Sequence, residues 1–99
     1  MNNSNLSESL LTIGMGVFNG EKTISKSIDS LLKQTFDDFK LIISDNASTD
    51  STQKICEEYA KKDNRIQYVK QKKNLGLLKN WNFLLENATT KYFPISLVP

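Results

Sequence analysis

The sequence predicts an α/β fold, a Rossmann-like parallel sheet with flanking helices. Three observations carry that expectation. Strand-like and helix-like segments alternate in the order β-α-β-α-β-α-β, the pattern of strands joined by helical crossovers. The run Leu41-Ile42-Ile43 shows no polar alternation, so it reads as a strand buried on both faces. That run then breaks into the acidic, small-polar turn Ser44-Asp45-Asn46-Ala47-Ser48-Thr49-Asp50. In an open parallel sheet such a turn sits at the carboxyl edge, where ligands bind.

Each element has its own local signal. Leu10 to Phe18 alternates loosely, with Leu11, Ile13, Met15 and Val17 on one face. Gly14 and Gly16 weaken this strand but permit close backbone approach. Asn19-Gly20 is a turn signal. A helix is expected from about Glu21 to Gln34, because Ile24, Ile28, Leu31 and Leu32 recur at i, i+4, i+7 and i+8 and form one apolar stripe. Thr35 to Asp38 reads as a loop before the buried strand Phe39 to Ser44. Thr49, Asp50 or Ser51 can cap the next helix, whose inner face is Ile55, Cys56, Tyr59 and Ala60. Lys61 and Lys62 end it with charge that the helix dipole favours. Arg65 to Val69 reads as a short strand and Gln71 to Gly76 as a polar loop. Leu77 to Asn87 carries Leu77, Leu78, Trp81, Leu84 and Leu85 at helical spacing, and Trp81 is read as a core residue. Lys91 to Leu97 reads as a last strand interrupted by Pro94.

Size and composition bound the function. A chain of 99 residues suits one modest core. Met1 to Ser9 is polar, lacks a signal-peptide apolar region and reads as a flexible lead, leaving residues 10–99 as the folded unit. A net charge of +2 is too small to argue for nucleic acid or an anionic membrane, and the cluster Lys70, Lys72 and Lys73 reads as a solvated loop. No apolar run approaches the ~18 residues a membrane span needs. One cysteine, Cys56, and no histidine exclude an intramolecular disulfide and the Cys/His zinc patterns. Cys56 reads as a small buried residue, and a reducing cytoplasm fits it. Acid–base chemistry would fall to carboxylates, lysines or tyrosines.

The candidate chemistry gathers at the turns that follow strands. Phe18-Asn19-Gly20 and Asp45-Asn46-Ala47-Ser48 lie side by side if the sheet is parallel. Together they offer an aromatic ring, a carboxylate and two amide side chains. A carboxylate beside an aromatic suits a nucleobase, which stacks on the ring and donates an N–H to the carboxylate. On spacing alone, Asp45 reads first as a turn-capping residue, and Phe18 is equally a core residue. Gly14, Gly16 and Gly20 do not form G-x-G-x-x-G, and no P-loop is present, so the glycine spacing argues against a dinucleotide or phosphate cradle.

Four ordered motifs resemble the family 2 glycosyltransferases, which have the GT-A nucleotide-diphospho-sugar transferase fold. They are Gly16-Val17-Phe18-Asn19-Gly20-Glu21, Ser30-Leu31-Leu32-Lys33-Gln34-Thr35-Phe36, Asp45-Asn46-Ala47-Ser48-Thr49-Asp50, and Asn74-Leu75-Gly76 with Asn80-Trp81-Asn82 ahead of Lys91-Tyr92-Phe93. The match runs over residues 10–93 and resembles the amino-terminal, nucleotide-binding half. The resemblance implies a nucleotide-sugar donor, usually a UDP-sugar, and transfer of its sugar to an acceptor hydroxyl in glycan or polysaccharide synthesis. It places Val17, Phe18 and Asn19 along the nucleoside, Asp45 at the base, Glu21 near the nucleotide, and Lys79 and Asn82 toward the diphosphate, with Asn46 among the residues that bind the nucleotide-sugar.

Two departures from the family pattern shape the expectation. Gly16 stands where the family usually has proline, which loosens the turn and costs up to ~1 kcal/mol through unfolded-state entropy. The family's Asp-x-Asp motif, which holds Mg2+ or Mn2+ on the diphosphate, is not matched by Tyr92 to Pro99, and the last acidic residue is Glu86. A metal is therefore expected only in the complete family fold. The chain reads as a partial domain, inactive alone, with no metal ligand and no catalytic base, and its uncovered sheet surface invites association. The alternatives are a non-catalytic nucleotide-binding or interaction module and a nonfunctional remnant.

Overall fold

The computed structural model describes residues 11–34, 38–88 and 91–97, the last of these as backbone. Its elements are β1 (Leu11–Val17), α1 (Ile24–Leu32), β2 (Phe39–Asp45), α2 (Thr52–Lys62), β3 (Ile66–Lys70), α3 (Leu77–Glu86) and β4 (Lys91–Leu97). The alternating order expected from the sequence is the order found. The expected lead at residues 1–9 and most of the Thr35–Asp38 loop lie outside the described residues.

The four strands form one sheet in the order β3-β2-β1-β4, and every neighbouring pair is parallel. The unalternated strand Leu41-Ile42-Ile43 lies in β2, between β1 and β3, and all three residues are buried. β4 lies beside β1 at the opposite edge from β3. Its Pro94 pairs with Gly14, and an edge strand tolerates the missing N–H.

Side-chain alternation divides the sheet into two unequal faces. Ile13, Met15 and Val17 of β1 join Phe39, Leu41 and Ile43 of β2 in the main core, with Ile24 and Ile28 of α1 and Cys56 of α2. Leu31, Leu32, Ile55, Tyr59 and Ala60 pack on its rim, so the two predicted helix stripes face inward. Burying one such aliphatic side chain stabilises by ~1.5–3 kcal/mol. The Tyr59 hydroxyl donates to the Asp29 carboxylate at 2.6 Å and ties α2 to α1.

The other face of the sheet carries α3, and here the expected stripe fails. Only Asn80 and Leu84 of this helix are buried. Leu77, Leu78, Trp81 and Leu85 are 55%, 72%, 37% and 58% exposed, so Trp81 is not the core residue the spacing suggested. The reason is geometric. A helix touches a sheet along one narrow stripe, here Asn80 and Leu84 at i and i+4. Residues 100° or more around the helix meet solvent unless a second layer covers them.

Candidate functional site at the carboxyl edge of the sheet

The strand register builds the site. Val17 and Asp45, the last residues of β1 and β2, are level with each other, so the turns that follow leave the sheet side by side. The Asn46 N–H donates to the Val17 carbonyl at 2.8 Å, and the Gln71 N–H donates to the Asp45 carbonyl at 2.8 Å. These bonds carry the ladder one residue past the strands and hold three turns at one edge.

The first two turns are laced together by side chains. The Asn19 N–H donates to Ser48 Oγ at 2.8 Å, and the Thr49 N–H donates to Asn19 Oδ1 at 2.8 Å. The Gly20 N–H donates to Thr52 Oγ1 at 2.9 Å. The Glu21 N–H donates to Asp50 Oδ2 at 3.2 Å, while Glu21 Oε1 accepts from the Ser51 N–H at 3.0 Å. Asn19 and Ala47 take left-handed backbone, with φ of 50° and 67°. Asn tolerates this conformation; for Ala47 it is strained, at a cost of ~1–2 kcal/mol that the surrounding bonds must hold.

Asp50 starts α2. Its Oδ1 accepts from the Thr52 N–H at 2.9 Å and from the Thr52 hydroxyl. Partial burial would raise its carboxyl pKa, but the hydrogen bonds from Thr52 and from the Glu21 N–H outweigh that and hold it below the ordinary aspartate value.

Asp45 is fully buried. Its Oδ1 accepts from the Ser48 N–H at 2.9 Å, closing the turn, and its Oδ2 accepts from the Tyr68 hydroxyl at 2.5 Å. Burial first, and the Asp45 carboxylate second, push the Tyr68 phenol well above its usual range. Cys56 is a buried free thiol; burial, with the Asp45 and Glu57 charges, pushes it up to about 12. A thiol so shifted is not a nucleophile at neutral pH.

Asn46 joins the third turn to the first two. Its Nδ2 donates to Asn74 Oδ1 at 2.9 Å, and its Oδ1 accepts from the Leu75 N–H at 2.7 Å. Asn74 Oδ1 also accepts from the N–H of Gly76, which precedes α3. One turn into the helix, Asn80 Nδ2 donates to the Ser44 carbonyl at 3.0 Å, and the Ser44 hydroxyl donates to Asn80 Oδ1. Gly16 makes this approach feasible, since a Cβ there would lie 3.2 Å from Asn80 Nδ2 and 3.6 Å from the Trp81 ring.

Of the residues singled out in the sequence, Val17, Phe18, Asn19, Glu21, Asp45 and Asn46 are brought together at this edge. Phe18 and Asn19 are half-buried there. Lys79 and Asn82 are exposed on α3, off the stripe that meets the sheet. The sequence reading missed Asn80, Ser44 and Tyr68. Asn80 had one available signal: it lies four residues before Leu84, on the inward stripe of its helix. Among the described residues, no three His, Cys, Asp or Glu side chains gather to hold a metal, and no helix is long and apolar enough to cross a membrane.

Comparison with known proteins places this architecture. The model of the family described as Glycosyl transferase family 2 matches residues 12–95. The chain belongs to glycosyl transferase family 2. This family 2 chain is 37% identical over 83 residues to "Putative glycosyltransferase EpsE" of Bacillus subtilis, a match covering 83% of the chain and 30% of that protein. It is 33% identical over 82 residues to "Glycosyltransferase GlyA" of Streptococcus pneumoniae, covering 83% of the chain and 12% of that protein. The chain thus spans less than a third of the length of these relatives. Among solved structures, S. aureus TarS 1–349 in complex with UDP superposes with a TM-score of 0.78 at 28% identity, covering 87% of this chain and 26% of that one. The mannosyltransferase PcManGT from Pyrobaculum calidifontis, in complex with GDP-Man and Mn2+, superposes at 0.74 with 22% identity, over 82% of this chain and 25% of that one. That second likeness shows the fold alone. The fold expected from the family 2 resemblance is the fold found.

Proposed function

We propose that this chain is the donor-nucleotide-binding part of a family 2 glycosyltransferase. The whole enzyme would move a sugar from a nucleotide-sugar, with UDP-sugar the first choice, to an acceptor hydroxyl in glycan or polysaccharide synthesis. The observation that carries the reading is the level register of Val17 and Asp45, with the two following turns bonded into one rigid rim. A rigid rim of backbone and amide groups beside a half-buried aromatic ring suits a nucleoside, because its geometry is set before the ligand arrives. UDP in the TarS complex supports the ligand class.

Within this proposal Phe18 and Asn19 line the nucleoside and Asn46 holds the third turn against it. Asp45 serves by fixing the rim through Ser48 and Tyr68. Lys79 and Asn82 are the candidates for the diphosphate. We assign the divalent cation to the complete fold, as the family pattern implies; Glu21, Asp45 and Asp50 accept hydrogen bonds within the rim. The proposal assigns this chain donor binding. A cytoplasmic location goes with it, and the lone buried thiol of Cys56 is compatible with a reducing compartment.

Calorimetric titration of the purified chain with UDP and with GDP tests the reading. Saturable binding of at least one is expected, weakened by Asp45→Ala, which strands the Ser48 N–H and the Tyr68 hydroxyl. A chain that is folded by circular dichroism and gives no saturable heat with either nucleotide refutes it.

A further inference from the structure

We infer that Trp81 is a nucleoside-contacting residue of this site, presenting its indole ring to the base or ribose of the donor nucleotide. The inference rests on the nucleotide-binding reading and deepens it.

The sheet order supplies the first argument. β1, β2 and β3 progress in one direction, and β4 then returns to the other side of β1. The strand order reverses between β1 and β4, and open α/β sheets bind ligands at the carboxyl end of such a switch point. Gly16 lies there, one residue before the end of β1 and paired with Ser44 on one side and Ser96 on the other.

The second argument is contact. A Cβ at Gly16 would stand 3.6 Å from Cδ1 and 3.7 Å from Nε1 of Trp81, so the indole edge lies directly over this glycine. α1 packs in the core on the opposite face of the sheet, so Trp81 forms the α3-side wall at the switch point.

The third argument is the way the ring is held. Asn80, the adjacent residue, is clamped to Ser44 by two hydrogen bonds, and the start of α3 is tied to Asn46 through Leu75. The helix therefore delivers the ring to a fixed place while leaving it 37% exposed. A fixed, partly exposed aromatic surface beside a nucleotide edge stacks on any base, because every base has a π-face. Leu77, Leu78 and Leu85 are exposed on the same helix but have no aromatic face to offer.

Trp81 is the only tryptophan in the chain, so its emission reports this position alone when excited at the red edge of the absorption band. The test titrates the full chain with uridine, UDP, GDP and inorganic pyrophosphate, following Trp81 emission and calorimetric heat in parallel. A saturable emission change is expected with each nucleoside compound that gives heat, at the same midpoint, and none with pyrophosphate. Trp81→Phe should hold the calorimetric affinity within about threefold, and Trp81→Ala should weaken it on the order of tenfold, the usual loss for a stacking residue. Nucleotide heat with unchanged emission overturns the inference while leaving the nucleotide-binding reading intact. An equal response to pyrophosphate overturns it as well, by assigning the ring to the diphosphate. Absence of heat with every nucleotide defeats the underlying reading and this inference together. Should Trp81→Ala fail to fold, the wild-type emission titration and the Trp81→Phe affinity still decide.

Discussion

Replacing Asn80 by alanine should destabilise this protein far more than replacing its near neighbour Asn82. Asn80 is 2% exposed, and Ser44 beneath it is fully buried. The substitution removes two buried hydrogen bonds, one to the Ser44 carbonyl and one from the Ser44 hydroxyl. Each is worth ~1 kcal/mol net, and stranding a buried donor adds ~1–3 kcal/mol. The Ser44 oxygen keeps its bond from Gln71 Nε2 at 3.0 Å, but its proton has lost its acceptor. The expected cost is therefore ~3–5 kcal/mol, a large part of a typical total stability of ~5–15 kcal/mol. For a domain of this size, at about 4–8 °C per kcal/mol, that corresponds to a fall in Tm of roughly 12–40 °C. Urea denaturation followed by circular dichroism measures it, with an unchanged m-value showing that the native and unfolded states are otherwise comparable. Asn82→Ala, at an exposed position of the same helix, should stay within ~0.5 kcal/mol of the wild type. A loss below ~1 kcal/mol for Asn80→Ala, or equal effects of the two substitutions, would refute the claim that Asn80 docks α3 on the sheet.

Two further outcomes are expected. Leu84→Ala should cost ~2–5 kcal/mol because the side chain is fully buried, whereas Leu78→Ala, at 72% exposure, should stay within ~0.5 kcal/mol; thermal melts of the pair check this directly. Stability should also fall in acid through Asp50 and Asp63. Asp50 is depressed by its bonds from Thr52 and Glu21 despite partial burial, and Asp63 by its bonds from Arg65. A carboxylate depressed in the folded state contributes fully above its unfolded pKa of ~3.9 and loses that contribution as pH falls through the lower folded value. In Asp50→Asn, the fall in Tm measured below about pH 4 should be shallower than in the wild type; an identical acid limb would remove Asp50 from the account.

Much of the fold was legible because it depends on local, periodic chemistry. The stripe Ile24, Ile28, Leu31 and Leu32 and the unalternated run Leu41-Ile42-Ile43 each have one burial solution, and the alternation of such segments selects a parallel sheet. The turn at Asp45 was legible for a related reason: small polar residues after a buried strand have nowhere to go but the sheet edge. The α3 stripe was not, because periodicity says which residues share a helix face but not whether anything covers that face. Leu84 is buried against the sheet, Trp81 touches it only at Gly16 and stays partly exposed, and Leu78 is left in solvent.

The sequence by itself determined the element order, the two inward helix stripes and the gathering of the Phe18 and Asp45 turns. These follow from side-chain periodicity and turn chemistry, which are properties of neighbours along the chain. Only the tertiary structure decided what those site residues are bonded to. Tyr68 reaches Asp45 across 23 residues and Asn80 reaches Ser44 across 36, separations over which no local pattern signals a pairing. The same holds for β4 beside β1, which puts the switch point at Gly16 and sets Trp81 over it. Such pairings arise when distant segments are brought to one sheet edge, and the hydrogen-bonding and stacking capacity of a side chain becomes a partner only there.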